Sequence, residues 1–260
     1  MIDYDGLMRD AQEFRPNLIV IGASAYPREI EYDRVKEACD SVGAYMHADI
    51  CHVSGLIAAG LQNRPFEYAD VVMSTTHKSV QGPRSSMIFT RKDERNLHTK
   101  INEAVFPGLQ GGPHNQKIGA LATHLKFVAS PEFKEYQKQV LANAQAMSKE
   151  LIARGNTLIT GGTDNHLMLI NVKARGLTGS KVEKICDAAH ITVNKNTIVG
   201  DKSALTPGGI RIGTPAITTR GYIEEDSREV ARFLDETIKL SIEMQNRAGS
   251  KKLKDFEEQV

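Results

Sequence analysis

The sequence predicts an α/β fold. Short, continuously apolar runs alternate with amphipathic stretches of helical period, and glycine or proline punctuates several junctions. Strands separated by helices need crossover connections, which point to parallel pairing.

Leu18-Ile19-Val20-Ile21 is apolar at every position, which predicts a buried strand. Residues 29–41 follow as a helix, with Ile30, Val35 and Ala38 on one face and Gly43 just past the end. A second strand starts at Ala44 and runs into Asp49. A third starts at Asp70 and runs into Thr76, and Met87-Ile88-Phe89 is a fourth. Residues 114–129 are apolar enough for a core helix. Residues 131–154 place Phe133, Tyr136, Val140, Ala144, Met147 and Leu151 at offsets of three and four, with Pro131 in the first turn and Gly155 after the last. Further strands are predicted at 157–159, 167–172 and 210–212, a helix near 181–189, and a long final helix from Glu224. A boundary near residues 129–131 divides the chain into parts 1–130 and 131–260. Residues 251–260 read as a charged, solvated helical end.

With 33 Lys+Arg against 32 Asp+Glu the net charge is +1, which lacks the basic footprint of a nucleic-acid binder. The longest apolar run, from Leu18 to Ala25, is far too short to span a bilayer, so no membrane partner is expected. Cys39, Cys51 and Cys186 form no CxxC pair and no disulfide framework, and an odd, sparse count suits a reducing compartment.

Four constellations carry chemistry. Ser74-Thr75-Thr76-His77-Lys78 follows an apolar strand, and a lysine there suits Schiff-base formation with a carbonyl compound, or alternatively a surface loop. Asp49 and His52 also close a strand. A buried Asp49 needs a positive partner, which a protonated pyridine nitrogen would supply. Two rival readings are a metal cluster of His47, Asp49, Cys51 and His52, and Asp49 as a helix N-cap. Gly111-Gly112, ahead of a helix start, suits either a phosphate cradle or a plain turn. Arg211, inside Ile210-Arg211-Ile212, suits two-point grip of a carboxylate or an internal salt bridge.

Several strings resemble the serine hydroxymethyltransferase family, nearest its eukaryotic type: Asp49-Ile50-Cys51-His52-Val53-Ser54-Gly55-Leu56, Thr75-Thr76-His77-Lys78, the run from Ala104 through Phe106-Pro107-Gly108-Leu109-Gln110-Gly111-Gly112-Pro113-His114 to Asn115, Gly161-Gly162-Thr163-Asp164-Asn165-His166, Val193-Asn194-Lys195-Asn196-Thr197, and Arg211-Ile212-Gly213-Thr214-Pro215-Ala216. The resemblance implies a pyridoxal-phosphate enzyme of the aspartate-aminotransferase type (fold type I), with part of the large domain followed by a small C-terminal α/β domain. It implies serine–glycine interconversion, tetrahydrofolate as co-substrate, and a homo-oligomer, dimer or tetramer.

By the same resemblance Lys78 is the Schiff-base lysine, Asp49 the pyridine-nitrogen partner and His52 the ring-stacking histidine. Thr76 and His77 lead into the lysine. Ser24 lies near the cofactor's phenolic oxygen, and Arg84 near the cofactor site, followed here by Ser85-Ser86 where the family has a small glycine-containing pair. Gly111 and Gly112 reach the phosphate in the neighbouring subunit, Arg211 holds the substrate carboxylate, and Asn196 is a folate-side contact. Met1 aligns inside the family's large domain, past a phosphate-binding Ser-Gly loop, a proton-transferring glutamate, tyrosines and a ring-side histidine. The resulting alternative is a truncated, catalytically impaired member acting as a fragment or non-catalytic subunit partner, with an unpaired sheet edge and exposed apolar surface. A cytoplasmic location is expected, and mitochondrial forms share these motifs.

Overall fold

In the computed structural model, which describes residues 1–92, 95–250 and 252–260, the chain divides into two units. The first holds Met1–Ser24 and Glu29–Gln137; the second holds Ala25–Arg28 and Lys138–Val260.

The first unit opens with α1 (Tyr4–Phe14), where Asp3 accepts the Gly6 amide at 2.9 Å and caps the first turn. The parallel strands β1 (Leu18–Gly22), β2 (Tyr45–Asp49) and β3 (Val71–Thr75) follow, separated by α2 (Tyr32–Val42) and the short α3 (Ser54–Ala58). β4 (Ser86–Thr90) then pairs with β3 antiparallel, giving sheet order β1-β2-β3-β4. The expected run of parallel strands ends at β3, because the connection 76–85 contains no helix and turns straight back. Tyr32, Val35 and Cys39 of α2 pack on Met46, Ala48 and Val72, forming this unit's main core.

β1 is not a fully buried strand. It is an edge strand whose outer face leaves Leu18 and Val20 exposed, the latter by 60 %. After α4 (Leu97–Glu103) and an irregular π-type turn (Ala104–Leu109), α5 (Asn115–Val128) is exposed along most of its length, contrary to the expected core helix. Only its C-terminal end contributes, through Val128 with Val80 and Phe133.

The division between units falls inside α6 (Pro131–Ala153). In the second unit β5 (Leu167–Asn171), β6 (Asn194–Asn196) and β7 (Gly209–Gly213) form an antiparallel sheet in the order β5-β7-β6. Met168, Ile170, Ile210 and Ile212 face a core built with Val182 and Cys186 of α7 (Gly179–Ala188) and Leu234 and Ile238 of α9 (Glu224–Ala248). Between β7 and α9 lies the short α8 (Pro215–Thr219). The expected strand at 157–159 is a single bridge, Leu158 to Ile170, followed by a 3-10 turn.

Residues 25–28 are gripped within this second unit. Asn165 Nδ2 donates to the Tyr26 carbonyl at 2.9 Å, and the Asp164 amide to Pro27 at 2.7 Å. Arg28 donates to the Thr160 hydroxyl at 3.0 Å and to Asp164 Oδ1 at 2.8 Å. The charged C-terminus is not merely solvated: α10 (Leu253–Glu257) buries Phe256 completely, under the Lys181 ammonium at 5.5 Å from the ring centroid.

Candidate functional site

Adjacent parallel strands bring most of the candidate groups of the first unit to one sheet edge. β2 ends at Asp49, in register with Met73 of β3, and Lys78 follows three residues after β3 ends at Thr75. β1 ends at Gly22, in register with Asp49, and Ser24 comes two residues later. Ser24, Asp49, His52, Thr76, His77 and Lys78 therefore all lie at or just beyond the carboxyl ends of neighbouring parallel strands, where open α/β sheets bind ligands. The close approach there requires Gly22, since a Cβ would overlap the Asp49 carbonyl and stand 2.8 Å from Asp49 Cβ.

The Lys78 turn is held from behind. The Thr76 amide donates to Ser85 O at 3.0 Å, the Thr76 hydroxyl to Pro83 O, and the Gly82 amide to Thr76 O at 2.6 Å. Ser79 Oγ accepts the Gly55 amide at 3.0 Å, while Gln137 Nε2 donates to Ser79 O at 3.0 Å. Val80 anchors the turn in the apolar cluster of Phe133, and His124 Nε2 lies 2.6 Å from Val80 O. Lys78 itself is exposed, with no ion pair to a described residue.

Asp49 is half-buried, and its Oδ1 accepts the Cys51 amide at 2.9 Å. It thus caps a turn rather than a helix: α3 begins after Val53, whose side chain makes no cap bond, so the N-cap reading fails. Cys51 Sγ accepts the Thr75 amide at 3.1 Å and lies 3.3 Å from Met73 Sδ. Burial, helped by the Asp49 charge, pushes the Cys51 thiol up from its ordinary pKa. Burial likewise pushes up the Tyr32 phenol, with Tyr4, Glu29 and Asp49 adding to it. Among the described residues no three or more His, Cys, Asp and Glu side chains are grouped so as to hold a metal ion, and His47, Asp49, Cys51 and His52 are not so grouped. Cys51 has turned away into its contacts with β3.

Thr75 Oγ1, His77 Nδ1 and His47 Nε2 are buried atoms without a hydrogen-bond partner. Buried polar atoms are ordinarily satisfied, so three in the strands and turn around one sheet edge point to a polar ligand. The residues present suit pyridoxal phosphate: an exposed amine for its aldehyde, a carboxylate for its ring nitrogen, and unsatisfied hydroxyl and imidazole groups for its polar substituents. Arg84 is exposed in the 76–85 connection. Gly111 and Gly112 are exposed ahead of α5, and nothing in the chain lies within 4 Å of a Cβ added at either. Their lack of side chains answers no crowding within the chain.

The second unit carries Arg211 and Asn196. Arg211 is half-buried on β7, in register with Leu169 and Asn194; Ile210 and Ile212 on either side face the core, so its side chain emerges on the opposite face. Asn196 ends β6, and its Nδ2 donates to Thr197 O at 2.8 Å. Sequence reasoning missed the supporting residues Cys51, Ser79, Gln137 and Asp201. The bonds of Cys51, Ser79 and Gln137 join chain segments 24 to 58 residues apart, whereas Asp201 bonds to Ile198 and Gly208 within its own connection, where no motif marks it.

The family model of serine hydroxymethyltransferase matches residues 1–234. The chain is 52% identical over 259 residues to serine hydroxymethyltransferase 3, chloroplastic, of Arabidopsis thaliana, covering 98% of this chain and 49% of the relative. It is 50% identical over 274 aligned residues to the cytosolic serine hydroxymethyltransferase of Aspergillus fumigatus, covering 100% and 58%. It is 48% identical over 262 residues to the mitochondrial serine hydroxymethyltransferase of Candida glabrata, covering 96% and 54%. The chain spans about half the length of the curated relatives it matches.

Proposed function

The chain belongs to the serine hydroxymethyltransferase family, and on that premise we propose that it serves serine–glycine interconversion with transfer of the one-carbon unit to tetrahydrofolate. The observation that carries this reading is the register of β2 and β3, which brings Asp49 and the Lys78 turn to the same sheet edge beside unsatisfied Thr75 and His77. Pyridoxal phosphate, when bound, supplies an electron-withdrawing ring conjugated to the amino-acid α-carbon. Lys78 Nζ would hold the cofactor through its aldehyde, and the tightly tied 76–85 turn keeps that amine's backbone in place. The Asp49 carboxylate holds a proton at the ring nitrogen, and its bond from the Cys51 amide fixes its direction. His52, Ser24 and Arg84 would help hold the cofactor's ring and polar groups, and Thr76 and His77 would set the approach to Lys78. Arg211 takes the amino acid's carboxylate through its guanidinium fork, Asn196 meets folate, and Gly111-Gly112 serve a neighbouring copy's phosphate.

A homo-oligomer and a cytosolic setting complete the proposal, along with the division into a large-domain part, 1–130, and a small domain, 131–260. All three cysteines are free and buried, in keeping with a reducing compartment. No helix among the described residues is long and apolar enough to cross a membrane. The test is borohydride fixation of pyridoxal phosphate on the purified chain, with peptide mapping and a serine-to-glycine assay dependent on tetrahydrofolate. Label at Lys78, lost in Lys78→Ala, supports the proposal; label elsewhere or none overturns it.

A further inference from the structure

The connection between β6 and β7, residues 197–208, is closed by a carboxylate to which the reading above gives no role. The Asp201 side chain is only 4 % exposed. Its Oδ2 accepts two backbone amides, Ile198 at 3.0 Å and Gly208 at 2.7 Å. These amides lie just beyond the last ladder pair, Asn196 with Gly209. One oxygen atom thus acts as an extra rung across the mouth of the connection. Its Oδ1 faces Lys173 Nζ at 3.0 Å, and Lys173 also donates to Gly200 O at 3.1 Å, while the Lys173 amide donates to Gly208 O at 2.9 Å.

The fit leaves no slack at the glycines. A Cβ on Gly208 would stand 2.8 Å from Asp201 Oδ1, and one on Gly209 would stand 2.6 Å from Ile198 Cγ2 and 3.2 Å from the Asn196 carbonyl. The two amides and Lys173 hold the Asp201 carboxyl below its ordinary pKa, the bonds from Ile198 and Gly208 weighing most. A connection of this length closed without such a rung would leave the end of β6, a strand of three residues, poorly fixed.

We propose that Asp201 is a positioning residue which, by clamping Ile198 to Gly208, holds Asn196 where the folate co-substrate meets it. The proposal rests on the assignment of Asn196 to the folate side. It separates two candidate residues: Arg211 is held by β5 as well, through Leu169, and does not depend on the clamp.

The test compares the unmodified chain with Asp201→Ala, Asp201→Asn, Lys173→Ala and Asn196→Ala, all loaded with pyridoxal phosphate. Tetrahydrofolate and serine affinities are measured by calorimetry, and amide hydrogen exchange is read over 197–209. Asp201→Ala is expected to speed exchange at Ile198 and Gly208 and to weaken tetrahydrofolate about tenfold, leaving serine within about twofold. Asp201→Asn, which keeps an oxygen acceptor, falls between; if the alanine variant does not fold, Asp201→Asn and Lys173→Ala carry the comparison. Weaker folate binding in Asn196→Ala with none in the Asp201 and Lys173 variants overturns the clamp while sparing the assignment of Asn196. Unchanged folate binding in Asn196→Ala overturns that assignment and the inference with it. Equal losses of serine and folate affinity make Asp201 a general structural residue and also overturn the proposal.

Discussion

Cys51 Sγ accepts the Thr75 amide at 3.1 Å, fastening the turn that leaves β2 to the last residue of β3. The bond ties together the two segments that carry Asp49 and Lys78. Cys51→Ala removes the acceptor from a confined amide and is expected to cost about 1–3 kcal/mol. Cys51→Ser restores an acceptor and recovers part of that loss. Urea unfolding midpoints and pyridoxal phosphate affinity, measured on both variants, decide it; an alanine variant as stable as the parent rules the bridge out as a support.

Gly22, at the candidate site, and Gly111-Gly112, ahead of α5, respond differently to an added methyl. Gly22→Ala forces a methyl into the Asp49 carbonyl and is expected to destabilise by roughly 1–3 kcal/mol and to weaken cofactor binding. Gly111→Ala and Gly112→Ala meet only open space and should leave stability within about 0.5 kcal/mol. Differential scanning calorimetry on the three variants checks the contrast.

Two further thiols give the fold an alkaline limit. Burial pushes Cys39 up to about 11 and Cys186 up to about 12 from the model-compound value of 9.0. Above pH 9.0 an unfolded chain releases these protons while the folded chain retains them. The stability that the neutral thiols contribute is therefore complete below pH 9.0 and is lost as pH rises toward 11 and 12. Unfolding free energies across pH 8 to 11 should fall, with a shallower fall in Cys186→Ala. Ellman's reagent should react with these thiols at neutral pH only at the rate of opening.

Phe256 is expected to matter despite lying four residues from Val260. Phe256→Ala opens a cavity and uncovers the ammonium of Lys181, which also donates to Gln245 Oε1 at 2.8 Å. A loss of about 3 kcal/mol is expected, against a near-neutral result for exposed Leu253→Ala. Chemical denaturation of the pair is the measurement, and equal losses would dismiss the packing role.

The elements legible in the sequence are those whose signal is local. α6 shows itself by apolar spacing, and β2 and β3 by apolar runs ending in chemistry-bearing residues. Asp49 and Lys78 stand out for the same reason. The direction of β4 is less legible, because it depends on how the 76–85 connection closes on Thr76 rather than on the strand's own residues. The apolar composition of α5 says nothing about whether a neighbour covers it. α1 is hidden by an acidic start, Asp3-Tyr4-Asp5-Gly6, which serves as its cap. Cys51 and Asp201 act by accepting backbone amides across folded turns, and no period or motif announces that.

The grip on residues 25–28 bears on any attempt at dissection. Severing the chain in the middle of α6 is expected to give a weakened C-terminal fragment. Expressed alone, residues 138–260 would leave Asn165 Nδ2 and the Asp164 amide without their acceptors and the Thr160 hydroxyl and Asp164 carboxylate without Arg28. A piece that keeps these bonds has to be a permuted design, with the Ala25–Arg28 tetrapeptide grafted on or added as a synthetic peptide in trans.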